Sequence, residues 1–355
     1  MTPALDVGKA SMAEAKGIAA VAIIQRVWQE PAAKGGGMPR AEHRRSPRPR
    51  PLGRLWAIPL LIALAATGCS PRLWAVNRLG DALAGAGSGW AGDEDPELVR
   101  DATPFALKTI ESLLVESPRH RGLLLAAASG FTQYTYAFVQ QEANEVEATD
   151  PGRGEALRQR ARGFYRRARD YGLRGLERDH PGLADRLAHD PAGALSEVRA
   201  ADVPFLYWTA AAWGAWIGLS KEKSARLAEL PVVEAVMRRA LALDPGFNAG
   251  ALHEFFITYE GGRPETMGGS VAKAREHFAE AVALSAGRRA SPLVALAETV
   301  AVRLQDQQEF DRLLDAALAL DIERAPEWRV ANLIAQRRAR WLKARADDLF
   351  VGGGS

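Results

Sequence analysis

From Cys69 onward, no run of alternating apolar and polar residues of the Val/Ile/Thr kind breaks a pattern dominated by Ala, Leu, Arg and Glu, residue types that favour helix. The pattern predicts an all-α protein, with helices near residues 75–86, 96–116, 120–143, 153–178, 203–219, 231–243, 247–260, 270–285, 292–304, 306–320 and 327–348. Start signals recur at Asp95-Pro96-Glu97, Asp190-Pro191, Asp202 before Val203-Pro204, and Ser291-Pro292. Each sets a capping side chain ahead of a proline near the first helical position. Pro104 falls inside the 96–116 stretch, where its missing N–H predicts a kink or break.

Two segments are apolar without periodicity. Leu55–Ala66 is preceded by the basic stretch Arg44-Arg45-Ser46-Pro47-Arg48-Pro49-Arg50 and Arg54, and is closed by Thr67-Gly68-Cys69-Ser70. A positive region, a short apolar core and small residues describe a secretory signal, and the core is too short to span a bilayer, which takes about 20 residues. Ala66-Thr67-Gly68-Cys69 resembles the bacterial lipobox, with Ala66 where Leu is usual. Cys69, the chain's single cysteine, is thus the expected lipidation site, against the alternative of a structural thiol just after a signal. Ser70 in place of Asp favours the outer membrane facing the periplasm. Starting at Met38 gives a compact signal, so residues 1–68 are read as leader and signal peptide with Met38 as the expected start. Residues 69–95 are read as tether and first helix, 96–350 as a helical-repeat domain and 351–355 as a flexible tail. The second apolar segment, Val203–Leu219, holds Tyr207, Trp208, Trp213 and Trp216, with Gly214 and Gly218 spaced for close helix packing. A membrane span, a central buried helix and the wall of a pore or cavity all remain open for it.

The segments Ala240-Leu-Ala-Leu-Asp244, Ala281-Val-Ala-Leu-Ser285 and Ala317-Leu-Ala-Leu-Asp321 align. Ala274-x3-Phe278-x2-Ala281 fits the second helix of a tetratricopeptide repeat, and Leu124-x2-Ala127-Ala128-x2-Phe131 fits the first. Small residues at such positions let two helices cross closely. Tetratricopeptide-repeat-like hairpins in a superhelical array are therefore expected, with a concave face for a partner. The longer first spacing implies an insertion at Gly261-Gly262-Arg263-Pro264 and Gly268-Gly269.

Charge changes the picture of partners. The 355-residue chain has 46 Lys+Arg against 43 Asp+Glu, but ten of the basic residues and only four acids lie in the first 54 positions. The body from Cys69 is mildly acidic, which removes the main support for nucleic-acid binding. One cysteine excludes a disulfide framework and a Cys-based zinc site. The histidines show no HExxH spacing, and no GxSxG or phosphate loop occurs. Asp93-Glu94-Asp95 lacks the EF-hand spacing and reads as a helix N-cap cluster. No metal, cofactor or catalytic residue is expected, and the chain is read as no enzyme.

Further segments carry a family likeness. They include Asn77, Asp93–Ala102, Pro104–Lys108, Glu111–Leu114, Gly130–Tyr134 and Tyr136–Phe138. Later come His253–Phe256, Gly261–Pro264, Gly268–Ser270, His277-Phe278, Asn332–Gln336 with Arg338-Ala339, and Asp347–Phe350. Together they resemble the TatT family, tetratricopeptide-repeat lipoproteins associated with TRAP transporters. The resemblance implies a lipid-anchored, periplasm-facing helical protein that forms homotrimers enclosing pores and binds a TRAP-type solute-binding protein. It also implies hydrophobic or carboxylate-bearing ligands and no established catalytic residues. Tyr134, His253, Tyr259, Arg263, Asn332, Gln336 and Arg337 are then the candidates for lining the concave surface or pore. A guanidinium fork matches a carboxylate, so replacing Arg263 or Arg337 is expected to weaken binding without unfolding the protein. The competing function is a helical-repeat scaffold for outer-membrane or envelope assembly.

Overall fold

A computed structural model describes residues 71–85, 90–220 and 224–351. The chain divides into Met1–Thr67 and Gly68–Ser355, and all described residues belong to the second unit. The expected leader, the Met38 start and the Cys69 lipidation site lie outside the described residues.

Every element among the described residues is helical. In chain order they are α1 (Pro71–Gly85), α2 (Pro96–Glu116), α3 (Arg121–Tyr134), a π-helical segment (Thr135–Gln140), α4 (Gln141–Val146) and α5 (Pro151–Asp179). Then come α6 (Leu183–His189), α7 (Pro191–Ser196), α8 (Val203–Gly218), α9 (Ser224–Leu227), α10 (Leu230–Leu243), α11 (Ala251–Gly261) and α12 (Val271–Leu284). Next are α13 (Ser291–Leu296), a second π-helical segment (Ala297–Ala301) and α14 (Val302–Leu304). The last are α15 (Gln307–Leu318), α16 (Arg329–Lys343) and α17 (Ala346–Leu349).

Local chemistry sets most of the starts. Asp95 accepts from the amides of Glu97 and Leu98 at 2.9 and 3.1 Å, Asp150 from Arg153 at 2.9 Å and Asp306 from Glu309 at 2.8 Å. Each such cap contributes about 1 kcal/mol. Two predicted caps are used otherwise. Asp202 makes no cap bond to α8; its carboxylate meets His180 Nε2 at 2.9 Å and the Arg199 amide at 3.0 Å. Ser291 is itself the first residue of α13, and its hydroxyl donates to Glu254 at 2.9 Å. The break expected at Pro104 does not occur: α2 runs through it. The hydroxyl of Thr103 donates to the Val99 carbonyl at 2.6 Å, in the turn where the proline supplies no N–H. Between Asp179 and Asp202, where the pattern placed no helix, α6 and α7 bury Leu183, Leu187 and Leu195.

Helices near one another in sequence pack together, with pairings of α3 with α5, α5 with α8, α8 with α10, α11 with α12 and α13 with α15. Ala240, Ala281 and Ala317, the aligned alanines, are each at most 1% exposed. α8 packs among α3, α5 and α10, and no described helix is long and apolar enough to cross a membrane. The close approach expected of Gly214 and Gly218 is made by other glycines. A Cβ on Gly175 would lie 2.0 Å from the Phe205 ring, and one on Gly172 2.1 Å from Thr209 Oγ1. A Cβ on Gly214 finds only ordinary contacts, and one on Gly218 finds none.

Two apolar cores result. One gathers Leu123, Phe131, Tyr165, Phe205, Met237 and Phe256; the other gathers Val294, Phe310, Leu314 and Ala339. They meet on α11, where Phe256 and Tyr259 face the first and Ile257 the second. α16 then returns to the start of the described chain. Arg337 forks onto Glu145 at 2.9 and 2.6 Å, Arg338 donates to Gln141 at 3.2 Å, and Arg329 to the Gly92 carbonyl at 3.1 Å.

Candidate functional site

The two π-helical segments bring side chains into electrostatic reach of one another. A π turn adds a residue within a helix and re-aims the side chains around it, and such turns recur at functional sites. Tyr136 lies in the first and Glu298 in the second. Tyr136 exposes 55% of its surface, yet the protein around it raises its phenol to about 12. Burial is the largest cause; Glu298 and Glu254 add to it and Arg338 opposes it. The Tyr136 ring thus combines an exposed surface with close charged neighbours, and the place it shares with Tyr207 is called the recess below. Tyr207, half-buried on α8, has its phenol raised by burial first, then by Glu254 and Tyr136, against Arg289. The two phenols therefore share Glu254 as a neighbour.

The charges of this recess are paired. Arg289 meets Glu254 at 2.8 Å, and Ser291 donates to the same carboxylate. Arg338 forks onto Glu298, with its Nε at 3.2 Å, and its guanidinium lies 4.2 Å over the Trp341 ring. Phe247 and Trp208 flank Tyr207 with ring centroids 5.3 and 4.8 Å away. Tyr165 sits behind Tyr136 and donates to Gln140 Oε1 at 2.6 Å; burial pushes its phenol well up. The arrangement offers two phenols as donors or acceptors, aromatic faces, and guanidinium–carboxylate pairs that an incoming charged group can recruit only by exchange. Among the described residues, no group of three or more His, Cys, Asp or Glu is placed to hold a metal ion.

The seven residues nominated from sequence do not gather at one site, although Arg263 and Tyr259 meet. Tyr134 is buried and looks away from Tyr136, as positions two apart on a helix do, into a surface depression with Phe138, Leu157 and Arg160. His253 places Nδ1 3.0 Å from Nδ1 of His277, an arrangement in which one ring donates and the other accepts. Burial depresses both; His277 falls to about 4, with the charges of His253, Arg238 and Lys273 adding to desolvation. Tyr259 donates to Glu234 at 2.7 Å, and burial followed by that bond raises its phenol.

Arg263 directs its nitrogens into its own inserted loop. It donates to the carbonyls of Tyr259 at 2.8 Å and of Met267 and Gly268 at 3.2 Å, and stands 3.6 Å over the Tyr259 ring. The loop's glycines are required: Gly268 has φ +83°, and a Cβ on Gly269 would lie 1.9 Å from the Arg263 carbonyl. Asn332 is 1% exposed and clamps the turn before α13, accepting from the Ala290 amide and donating to the Arg288 carbonyl, both at 3.0 Å. Gln336 donates to the carbonyls of Ala317, Leu318 and Leu320 that close α15. Arg337 holds Glu145, with Glu97 at 3.4 Å. Next to it in sequence, Arg338 belongs to the recess. Tyr136, Tyr207 and Glu254 entered the sequence reading only within longer segments, and Arg289 and Glu298 not at all, because neither π turn leaves a mark in residue spacing.

The family model described as TRAP transporter T-component matches residues 92–350. An uncharacterized protein of Treponema pallidum (strain Nichols) is 30% identical over 263 residues, covering 73% of this chain and 81% of that protein.

Proposed function

Because the chain belongs to the TRAP transporter T-component family, we propose that it is a periplasm-facing accessory component of solute uptake. It docks a TRAP-type solute-binding protein and passes a hydrophobic or carboxylate-bearing ligand through the Tyr136–Tyr207 recess. The hairpins wind as a tetratricopeptide-like array, three copies assemble, and acylation of Cys69 holds them at the outer membrane. Two acyl chains suffice for stable anchoring where one is marginal.

The observation that carries the reading is the grouping of Tyr136 and Tyr207 with the paired Glu254–Arg289 and Glu298–Arg338. Aromatic faces and accessible phenols suit an amphipathic ligand, and the paired arginines give a carboxylate somewhere to exchange into. A site for permanent tight binding would hold unpaired charge; paired charge lowers affinity and favours release, as passage needs.

The test uses the full-length chain in detergent as bait in its own periplasmic extract, with mass spectrometry of proteins and of small molecules retained. Recovery of a TRAP-class solute-binding protein, with ligand retention reduced by Tyr136→Ala, is expected. Recovery of envelope-assembly proteins alone would favour the scaffold function instead. Intact-mass analysis of membrane-extracted protein would show acylation at Cys69, and Cys69→Ser would move the chain to the soluble fraction.

A further inference from the structure

A second surface lies along α5. Arg160, Arg166, Arg167 and Arg174 surround a depression of about 460 Å³ that also takes in Phe164 and Tyr171. Arg160 stands 5.2 Å over the Phe164 ring, Arg167 5.2 Å over Phe131, and Arg174 5.3 Å over Tyr171. Stacking on rings leaves the edges of a guanidinium free to donate. The depression's own acid, Asp170, is taken by Arg169 at 2.9 and 2.6 Å. Glu111, 3.3 Å from Arg167, already accepts from Lys108 and Tyr171. Among the described residues, no carboxylate pairs with Arg160, Arg166 or Arg174; Arg174 donates only to the Pro118 carbonyl, at 3.0 Å.

The depression continues into another of about 320 Å³, which shares Arg160 and adds Tyr134, Phe138 and Leu157. The Tyr134 and Phe164 rings, 6.2 Å apart, join the two. The acids there are also engaged, Asp101 with Arg100 and Glu142 with Arg153. The result is a trough in which Arg160, Arg166, Arg167 and Arg174 surround the half-buried Phe164 and Tyr171 rings, with an end where Tyr134 and Phe138 lie buried beside Arg100 and Arg160. From Arg160 to Arg174 it follows α5 for roughly 21 Å at 1.5 Å per residue.

We propose that this trough docks an acidic segment of a partner protein, its carboxylates on Arg160, Arg166 and Arg174 and an apolar side chain against Phe164 and Tyr171. The inference deepens the partner-docking part of the proposed function and rests on it. Uncompensated guanidinium groups on an otherwise mildly acidic body argue for charge complementarity with an anionic partner. The trough's length and aromatic rings exceed what a small anion fills. A flat bilayer surface would meet the rim but not the floor.

The test is fluorescence anisotropy of a labelled peptide of four Glu-Glu-Leu units with the full-length chain in detergent. Saturable binding is expected, weakened by salt and about tenfold or more by Arg160→Glu combined with Arg166→Glu. Arg312→Glu, the same reversal at an exposed position on α15, is expected to leave it unchanged. Absent peptide binding, equal binding by the double variant, or equal loss with Arg312→Glu would overturn the proposal. So would binding of phosphatidylglycerol vesicles, and not peptide, that depends on Arg160 and Arg166. The capture experiment separates this from the function: a solute-binding protein retained equally by wild type and double variant sinks the trough alone. Failure of wild type to capture one, with peptide binding intact and Arg160-dependent, sinks the transport reading and leaves the trough as an acidic-segment site.

Discussion

Replacing Glu145 with Gln tests how the chain closes on itself. Glu145 on α4 receives both arms of Arg337 from α16, 192 positions away, and also accepts from Gln141 at 2.8 Å. Its side chain is 24% exposed and that of Arg337 35%. Burial pushes the Glu145 carboxyl up, but the bonds from Arg337 and Gln141 and the charges of Arg337 and Arg338 outweigh it and hold it below the ordinary 4.5. Glu145→Gln keeps the shape and one acceptor while removing the charge. An exposed pair contributes below about 1 kcal/mol and a buried charged hydrogen bond about 1.5–3, so this partly buried fork contributes about 1–2 kcal/mol. That corresponds to a loss of roughly 2–6 °C in Tm. The folded carboxyl titrates lower than the unfolded one, so the stabilisation is present above about pH 4.5 and is lost as pH falls through the folded value. Thermal melts of wild type and variant should therefore differ at pH 7 and draw together as pH falls below 4.5. A difference that does not shrink on acidification, or none at pH 7, would refute the argument.

Gly175→Ala should destabilise the protein by about 1–3 kcal/mol in urea melts, because the new methyl meets Phe205 at the α5–α8 crossing. Gly163→Ala on the same helix, with nothing within 4 Å, should instead stabilise it by up to about 1 kcal/mol. The His253–His277 pair should make stability fall with pH. Its folded values are depressed, so between about pH 6.5 and pH 4 the unfolded chain takes up protons that the folded chain resists. Tm should drop across that window in wild type, and the slope should flatten in His277→Gln. Arg263→Ala should speed hydrogen exchange at the amides of Met267, Gly268 and Gly269 without changing exchange in α3 or α5, since its donors hold only the inserted loop.

Helix content and most helix starts were legible in the chain because each rests on neighbours a few positions apart. Asp95 caps α2 through amides two and three residues on, and Ala240, Ala281 and Ala317 mark helix crossings by size alone. Asn332, Gln336, Arg263 and Arg337 could be recognised as polar residues in apolar surroundings, but not which groups they would meet. For Asn332, Gln336 and Arg337 those partners lie up to 240 positions away and the packing of α16 selects them, while Arg263 turns back on its own loop and the end of α11. The same holds for the recess. A π turn is a difference in which carbonyl an amide reaches, and no residue type announces it. Sequence alone determined that this chain makes helices which pair through small residues. Tertiary structure decided which side chains the two π turns aim at a common space, because only packing between distant helices brings Tyr136, Tyr207, Glu254 and Glu298 within electrostatic reach of one another.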